Sequence, residues 1–136
     1  MTTDSQPLAP PPSRKALWAG WVLSILPALL LLFSAGMKFI QPPAVIEMFA
    51  HLGWPERSVV PLGILEVACA LLFLIPNTAV LGAILVAGYM GGAIATHARL
   101  GEPVFIQAGV GVLAWLGLYL REPRLRVFIP LRRPIR

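Results

Sequence analysis

The apolar positions of the chain fall into four long stretches separated by polar or proline-containing turns. These stretches predict helices at about 16–38, 59–75, 79–97 and 104–120. Roughly 20 residues of apolar helix are needed to cross the hydrocarbon core of a bilayer, and the four stretches approach or exceed that length. The sequence therefore predicts an all-α membrane protein whose single domain, residues 14–120, is a bundle of four transmembrane helices.

The first of these stretches has a rival interpretation as a cleaved signal peptide. The basic pair Arg14 and Lys15 precedes it, and small residues lie near its end. Signal-peptide apolar regions usually span about 7–15 residues, whereas the uncharged stretch here runs from Ala16 to Met37. This length favours an uncleaved transmembrane helix.

A shorter apolar pattern lies between the first two long stretches. One helix face, with spacing i, i+3, i+4 and i+7, collects Val45, Met48, Phe49 and Leu52. Glu47 and His51 share the other side, so the segment is predicted to be a short amphipathic helix at the membrane interface. An irregular polar loop is the alternative.

Composition and charge support a membrane location. Hydrophobic residues make up 57% of the chain and charged residues 12%, against about 25% charged in a soluble domain. The net charge is +5, but no basic patch with interleaved aromatic residues is present, so nucleic acid is not an expected partner. The expected partner is the lipid bilayer.

The basic residues also predict an orientation. Lys38, Arg57 and Arg99 fall at one face of the predicted bundle. The other face, which carries both termini, has Arg14, Lys15, Arg121, Arg124, Arg126, Arg132, Arg133 and Arg136. This excess predicts a multi-pass protein of the cell (inner) membrane with both termini in the cytoplasm. Residues 1–13 form a Pro-rich leader expected to be disordered, and residues 121–136 a basic cytoplasmic tail.

Glu66 is the acidic residue inside the four predicted helices. It lies about seven residues into the second helix, or about 10 Å deep at 1.5 Å per residue. An isolated charge at the bilayer centre costs roughly 2.5–3.5 kcal/mol. We therefore expect Glu66 to face the bundle interior, either paired with a cation or protonated.

The predicted topology supplies partners for this carboxylate. Lys38 ends the first long helix and His97 the third, both at the face nearer Glu66. Tyr89 shares a helix face with His97, and Ser34 precedes Lys38 by one turn. The predicted outward-facing ligand site is lined by Ser34, Lys38, Glu66, Tyr89 and His97. Glu66, Lys38 and His97 are also the candidate catalytic residues, although a Lys–Glu pair can equally serve packing alone.

Other chemistries find little support in the sequence. His51 and His97 do not make a convincing haem or metal site, and neither a phosphate-binding loop nor another cofactor motif is present. Cys69, the sole cysteine, rules out an intramolecular disulfide and a C-x-x-C pair. Lying one turn deeper than Glu66, it is placed at the floor of the predicted site.

Small residues predict where helices approach one another. Gly88 and Gly92 have the G-x-x-x-G spacing that permits close helix packing, with Gly91 beside them, and Gly109, Gly111 and Gly117 suggest the same for the fourth long helix. Packing within the bundle and dimerisation both remain open.

Taken together, several segments resemble the DoxX-like family of small bacterial membrane proteins. They are SAGMKF at 34–39, HLGWP at 51–55, LGILEV at 62–67 and YMGGAIATH at 89–97. The resemblance implies a four-helix membrane bundle and suggests that Lys38, Glu66 and His97 occupy positions typical of the family. It also implies a link to quinone-dependent oxidoreduction or membrane thiol-redox complexes, although the absence of a cysteine pair argues against direct thiol chemistry.

Three functional hypotheses follow. The leading one is an accessory or subunit protein of a redox or quinone-linked system, with a polar site for a quinone-like or other small hydrophobic molecule and a membrane redox protein as partner. The second is a membrane-embedded enzyme of isomerase or hydratase type that uses Glu66 as acid or base. The third is a structural or assembly protein without a ligand.

Overall fold

The computed structural model describes residues 10–129. The helices in this part of the chain are α1 Arg14–Ile40, α2 Pro43–His51, α3 Val59–Leu74, α4 Ala79–Ala98, α5 Phe105–Arg121 and the short α6 Leu125–Phe128. No β-strand occurs among the described residues, which confirms the predicted all-α class. The predicted disordered leader and basic tail fall in part on residues 1–9 and 130–136, outside the described residues.

Local sequence signals explain where α1 begins and ends. The Ser13 side chain accepts a hydrogen bond from the Ala16 amide at 3.2 Å, as an N-cap residue should. At the other end Gln41 adopts a left-handed conformation with φ of 54°, and its amide donates to the Met37 carbonyl. The Pro42-Pro43 pair that follows then starts α2.

Three segments of the structure are long and apolar enough to cross a membrane. They are Arg14–Ile40, Glu56–Leu74 and Pro76–Ala98, the latter two including short 3-10 turns before α3 and α4. The fourth long helix, α5, is apolar but has 17 residues. The bundle therefore contains three helices long and apolar enough to cross a membrane, and a fourth apolar helix that is shorter.

The four long helices form a closed ring in which α1 and α4 each pack between α3 and α5. Successive members run antiparallel, because Gly20 near the start of α1 lies against Arg121 at the end of α5. At the opposite end of the bundle Lys38 of α1 meets Glu66 of α3. Both ends of the described chain therefore lie at one face, which we call the terminal face.

The half of the bundle nearer the terminal face is tightly packed. Phe73 and Leu118 are buried there among alanines such as Ala28 and Ala114. A Cβ added to Gly82 of α4 would lie 2.1 Å from the Phe73 backbone nitrogen, so only glycine permits the observed approach of α3 and α4. The interior of this half is filled by these side chains, and the cavity described below lies in the other half of the bundle.

Of the two alternatives left open for Gly88 and Gly92, packing within the bundle is excluded by the structure, and dimerisation stays a prediction. A Cβ added at either position, or at Gly91, would meet nothing within 4 Å. Gly109 and Gly111 are equally open, and of the α5 glycines named above only Gly117 lies at a helix contact, where an added Cβ would be 2.6 Å from Ser24 Oγ. Spacing alone could not predict this, because the other close helix approaches join α1 to α5, at Gly20 and Gly117, and α1 to α3, at Gly63.

The segment between α1 and α3 is helical, which excludes the irregular loop considered from the sequence. Its apolar side packs on the bundle, with Val45 and Phe49 buried against Val59 at the start of α3. Met37 and Leu62 complete this small cluster. As a result α2 covers the end of the bundle opposite the terminal face.

Candidate ligand-binding site

A cavity of about 770 Å³ occupies the half of the bundle away from the terminal face, and we call it the inner cavity. All five of the helices α1 to α5 contribute to its walls, and α2 with Trp54 borders one end. Most of the lining is apolar. The residues that bring polar side-chain groups to it, besides Trp54 and Cys69, are Ser34, Lys38, Glu66, Tyr89, Thr96, His97 and Gln107.

The strongest polar feature of the wall is an ion pair between α1 and α3. Lys38 Nζ lies 2.7 Å from Glu66 Oε2, and the side chains are only 9% and 3% exposed. The same ammonium donates a hydrogen bond to Ser34 Oγ at 2.7 Å. Since Ser34 lies one helical turn before Lys38, the α1 sequence itself presents both groups to α3.

A glycine on α3 makes this contact possible. Gly63 lies one turn before Glu66, and a Cβ there would be 3.2 Å from Lys38 Cβ and 3.0 Å from Phe39 Cε1. Larger residues would push α1 away from α3 at this level. The absence of a Cβ at Gly63 thus lets Lys38, near the end of α1, reach the Glu66 carboxylate inside α3.

The structure brings together all five residues that the sequence analysis proposed for the site. Ser34, Lys38, Glu66, Tyr89 and His97 each border the inner cavity, as does Cys69. Tyr89 lies near the Glu66 carboxylate. The five residues therefore share one cavity, and their binding of a ligand stays a prediction.

His97 makes a different contact from the one that the topology suggested. Its Nδ1 donates to Glu102 Oε2 at 2.8 Å rather than approaching Glu66. Glu102 also accepts a hydrogen bond from His51 Nε2, so one carboxylate joins two histidines. An ionised carboxylate can only accept, which fixes the protonated nitrogen of each ring.

This His51–Glu102–His97 cluster ties α2 to the loop between α4 and α5. The loop makes a second contact with the same region, because Arg99 Nη2 donates to the Leu52 carbonyl. Hydrogen bonds from His51 and His97 hold the pKa of the Glu102 carboxyl below its usual value. Polar contacts with the α4–α5 loop therefore anchor the C-terminal end of α2, the helix that covers the inner cavity.

Comparison with known proteins agrees with this architecture. Residues 22–118, which include all of α2, α3 and α4, match the DoxX-like family. The chain belongs to that family. The resemblance noted in the sequence is thus confirmed, and the apolar helices of this DoxX-like protein are those of a membrane protein. No curated protein and no solved structure matches the chain.

Within residues 10–129 no group of three or more His, Cys, Asp or Glu side chains could hold a metal ion. His51 and His97 of this DoxX-like protein do converge, but on the carboxylate oxygens of Glu102. The single cysteine, Cys69, is buried and unpaired in the cavity wall.

Two residues near the inner cavity were missed by the sequence analysis. Glu102 sits in the α4–α5 loop, where no helical period predicts its neighbours. Gln107 lies on the first turn of α5, borders the cavity, and has a buried Oε1 that accepts no hydrogen bond from residues 10–129. A polar residue within a few positions of an apolar run was the only available signal.

Arg121 of this DoxX-like protein was assigned to the basic tail but belongs to the bundle. It is buried, and its Nη2 donates to the Phe73 carbonyl at 2.7 Å. Its guanidinium lies 4.5 Å from the centre of the Trp21 ring, a cation–π contact. Arg121 thus joins α5 to the end of α3 and to α1, at the terminal face.

Proposed function

We propose that the protein spans the cell (inner) membrane four times, with both termini in the cytoplasm. The basic residues at the terminal face support this orientation. α5 would cross about 25 Å with its 17 residues, and its neighbours α1 and α4 span beside it. α2 would then lie at the outer interface over the inner cavity, and reporter fusions to the two termini test the orientation.

We propose further that the inner cavity binds a small hydrophobic molecule with a polar group at one end. Ligand sites in proteins are typically apolar cavities of about 300–1,000 Å³ with a few placed polar groups. The inner cavity, at about 770 Å³, has this size and character. The buried Lys38–Glu66 pair in its wall is the observation that carries the proposal.

The ion pair has hydrogen-bonding capacity to spare. An ammonium has three donors, and Lys38 uses two of them, on Ser34 and Glu66. The second oxygen of Glu66, Oε1, accepts no hydrogen bond from residues 10–129, and the Tyr89 side chain lies near the carboxylate. A ligand carbonyl could therefore accept from Lys38, and a ligand hydroxyl could donate to Glu66. A quinone and its quinol offer these two groups in turn.

We propose that the protein acts as an accessory or subunit protein of a redox or quinone-linked membrane system. This part rests on the family resemblance. Cys69 is the single cysteine, so the chain cannot cycle between a dithiol and an intramolecular disulfide. The bound quinone or quinol would exchange its electrons with a membrane redox protein as partner. The role of this chain would be to hold the hydrophobic molecule within reach of that partner.

A second candidate function is catalysis by the chain itself. Glu66 borders a largely apolar cavity, where a carboxyl group can act as general acid or base. Lys38, its ion-pair partner, and His97, which borders the same cavity, would assist it in an isomerisation or hydration of a small hydrophobic substrate. Turnover by the purified protein that is abolished in Glu66→Gln favours this candidate, whereas dependence on a co-purifying redox protein favours the first.

Native mass spectrometry of protein gently extracted from its own membrane tests the proposed binding. The variant to compare carries both Glu66→Gln and Lys38→Met, which removes the two charges together. Glu47→Gln is a matched control, because Glu47 is exposed on α2 and does not border the cavity. A small molecule retained by wild type and control but lost from the double variant supports binding. Wild type and double variant that both lack a ligand and hold the same partner protein indicate a structural role instead.

A further inference from the structure

A second open space runs along the outside of the bundle between α4 and α5, and we call it the outer groove. Its volume is about 590 Å³ and its walls are largely apolar, with Trp115 and Tyr119 on one side. At Gly91 and Gly111, which line it, an added Cβ would meet nothing within 4 Å. In a membrane protein such a groove on the outer surface faces lipid.

The length of the outer groove matches the acyl region of one leaflet. On α5 it extends from Gln107 to Tyr119, which corresponds to about 18 Å of helix. Half of a hydrocarbon core about 30 Å thick is about 15 Å. One acyl chain lying parallel to α5 would fill the space from the terminal face inward.

Positive charge lies at the terminal-face end of the same groove. The Arg126 guanidinium is 5.3 Å from the centre of the Tyr119 ring, and it donates to the Tyr119 and Leu120 carbonyls at 3.3 Å each. Its Nη1 makes no hydrogen bond to residues 10–129. Arg124 is also exposed here, while the acidic neighbour Glu122 already accepts from the Arg124 amide.

We propose that the outer groove binds one anionic phospholipid, with an acyl chain between α4 and α5 and its phosphate at Arg126. The positive charge of Arg126 at one end of the groove favours this lipid over a helix of a second copy, because an apolar helix surface offers the guanidinium no anionic partner. Surface arginines are attracted to anionic headgroups. The inference is independent of any ligand in the inner cavity.

Lipid titration of the purified full chain, followed by native mass spectrometry, tests this inference. The probes are dioleoyl phosphatidylglycerol and dioleoyl phosphatidylcholine, which differ in headgroup charge. Gly111→Leu fills the groove, and Ala108→Leu fills it from a second position. Gly109→Leu is the matched control, since Gly109 is equally open but lies outside the groove. Arg126→Gln removes the charge, with the exposed Arg14→Gln as its control.

We expect wild type to retain one phosphatidylglycerol in preference to phosphatidylcholine. Both groove-filling variants should bind it at least about tenfold more weakly, whereas Gly109→Leu stays within about twofold of wild type. Arg126→Gln should reduce the preference for phosphatidylglycerol about fivefold, and Arg14→Gln should not. Equal affinity in Gly109→Leu and the filling variants would overturn the inference. A protein dimer that is lost in the filling variants would also overturn it, by making a second copy the occupant.

Discussion

Lys38 and Glu66 form an ion pair of 2.7 Å on the wall of the inner cavity, at a position where each side chain is less than one-tenth exposed. The two residues come from different helices, α1 and α3, and are 28 positions apart in the chain. Their contact serves both the packing of the bundle and the proposed ligand site. The same pair fixes how α1 packs on α3 and gives an otherwise apolar cavity its polar wall.

Breaking the pair from one side should cost more than removing it. Lys38→Met leaves a buried carboxylate without its cation, which typically costs about 3–5 kcal/mol. The double variant Lys38→Met with Glu66→Gln removes both charges and should be more stable than Lys38→Met alone. Thermal unfolding in detergent measures the difference, and additive losses from the two single changes would contradict a direct interaction.

Two glycines of α4 should respond oppositely to the same substitution. Gly82→Ala places a Cβ against the Phe73 backbone and should cost about 1–3 kcal/mol or more, because α3 and α4 must separate. Gly88→Ala has open space around it and should be neutral or stabilising by up to about 1 kcal/mol. Unfolding temperatures of the two variants check this, and equal losses would mean that α4 packs differently.

The carboxylate of Glu102 should make the anchoring of α2 depend on pH. Because hydrogen bonds from His51 and His97 lower its folded-state pKa, its stabilising contribution is complete above the unfolded-state value of about 4.3. That contribution is lost as pH falls through the lowered folded-state pKa. Hydrogen exchange of residues 43–51, corrected for the intrinsic rate, should therefore rise below about pH 4.

Glu102→Gln should show the faster exchange of α2 already at neutral pH and lose the acid-dependent step. Glu56→Gln, an exposed change outside the cluster, provides the control. Wild-type protection of residues 43–51 in Glu102→Gln would show that the cluster does not hold α2.

Arg121 should behave as a core residue despite its place beside the basic tail. Arg121→Lys removes the planar group that bonds the Phe73 carbonyl and lies over Trp21, and should cost about 1.5–3 kcal/mol. Arg124→Lys, at an exposed position, should leave the unfolding temperature within error of wild type. Similar behaviour of the two variants would place Arg121 outside the core.

The features that could be predicted from sequence are those dictated by burial. Apolar runs long enough for lipid define the long helices, and the cost of burying Glu66 demands a partner such as Lys38. Once the helices alternate in direction, the residues at matching depth are few. That is why residues from α1, α3 and α4, proposed from topology, all border one cavity.

The features that could not be predicted depend on exact helix rotation and loop geometry. Gly82 and Gly88 both look like packing glycines, yet only the first lies at a helix contact. Glu102 meets His51 because the α4–α5 loop folds back over α2, and no periodicity encodes that contact. Arg121 differs from its basic neighbours in pointing into the bundle, toward Trp21 and the Phe73 carbonyl.

The most direct test of the central claim is to fill the inner cavity without altering its polar groups. Gly92 borders the cavity and has nothing within 4 Å of an added Cβ, while its neighbour Gly91 is equally open but lies outside the cavity. Binding of decylubiquinone, a short-chain benzoquinone, can be titrated by native mass spectrometry for Gly92→Leu and Gly91→Leu. We expect saturable binding by wild type and Gly91→Leu, and at least about tenfold weaker binding by Gly92→Leu. Equal binding by all three proteins, or none by wild type, would contradict a quinone-binding inner cavity.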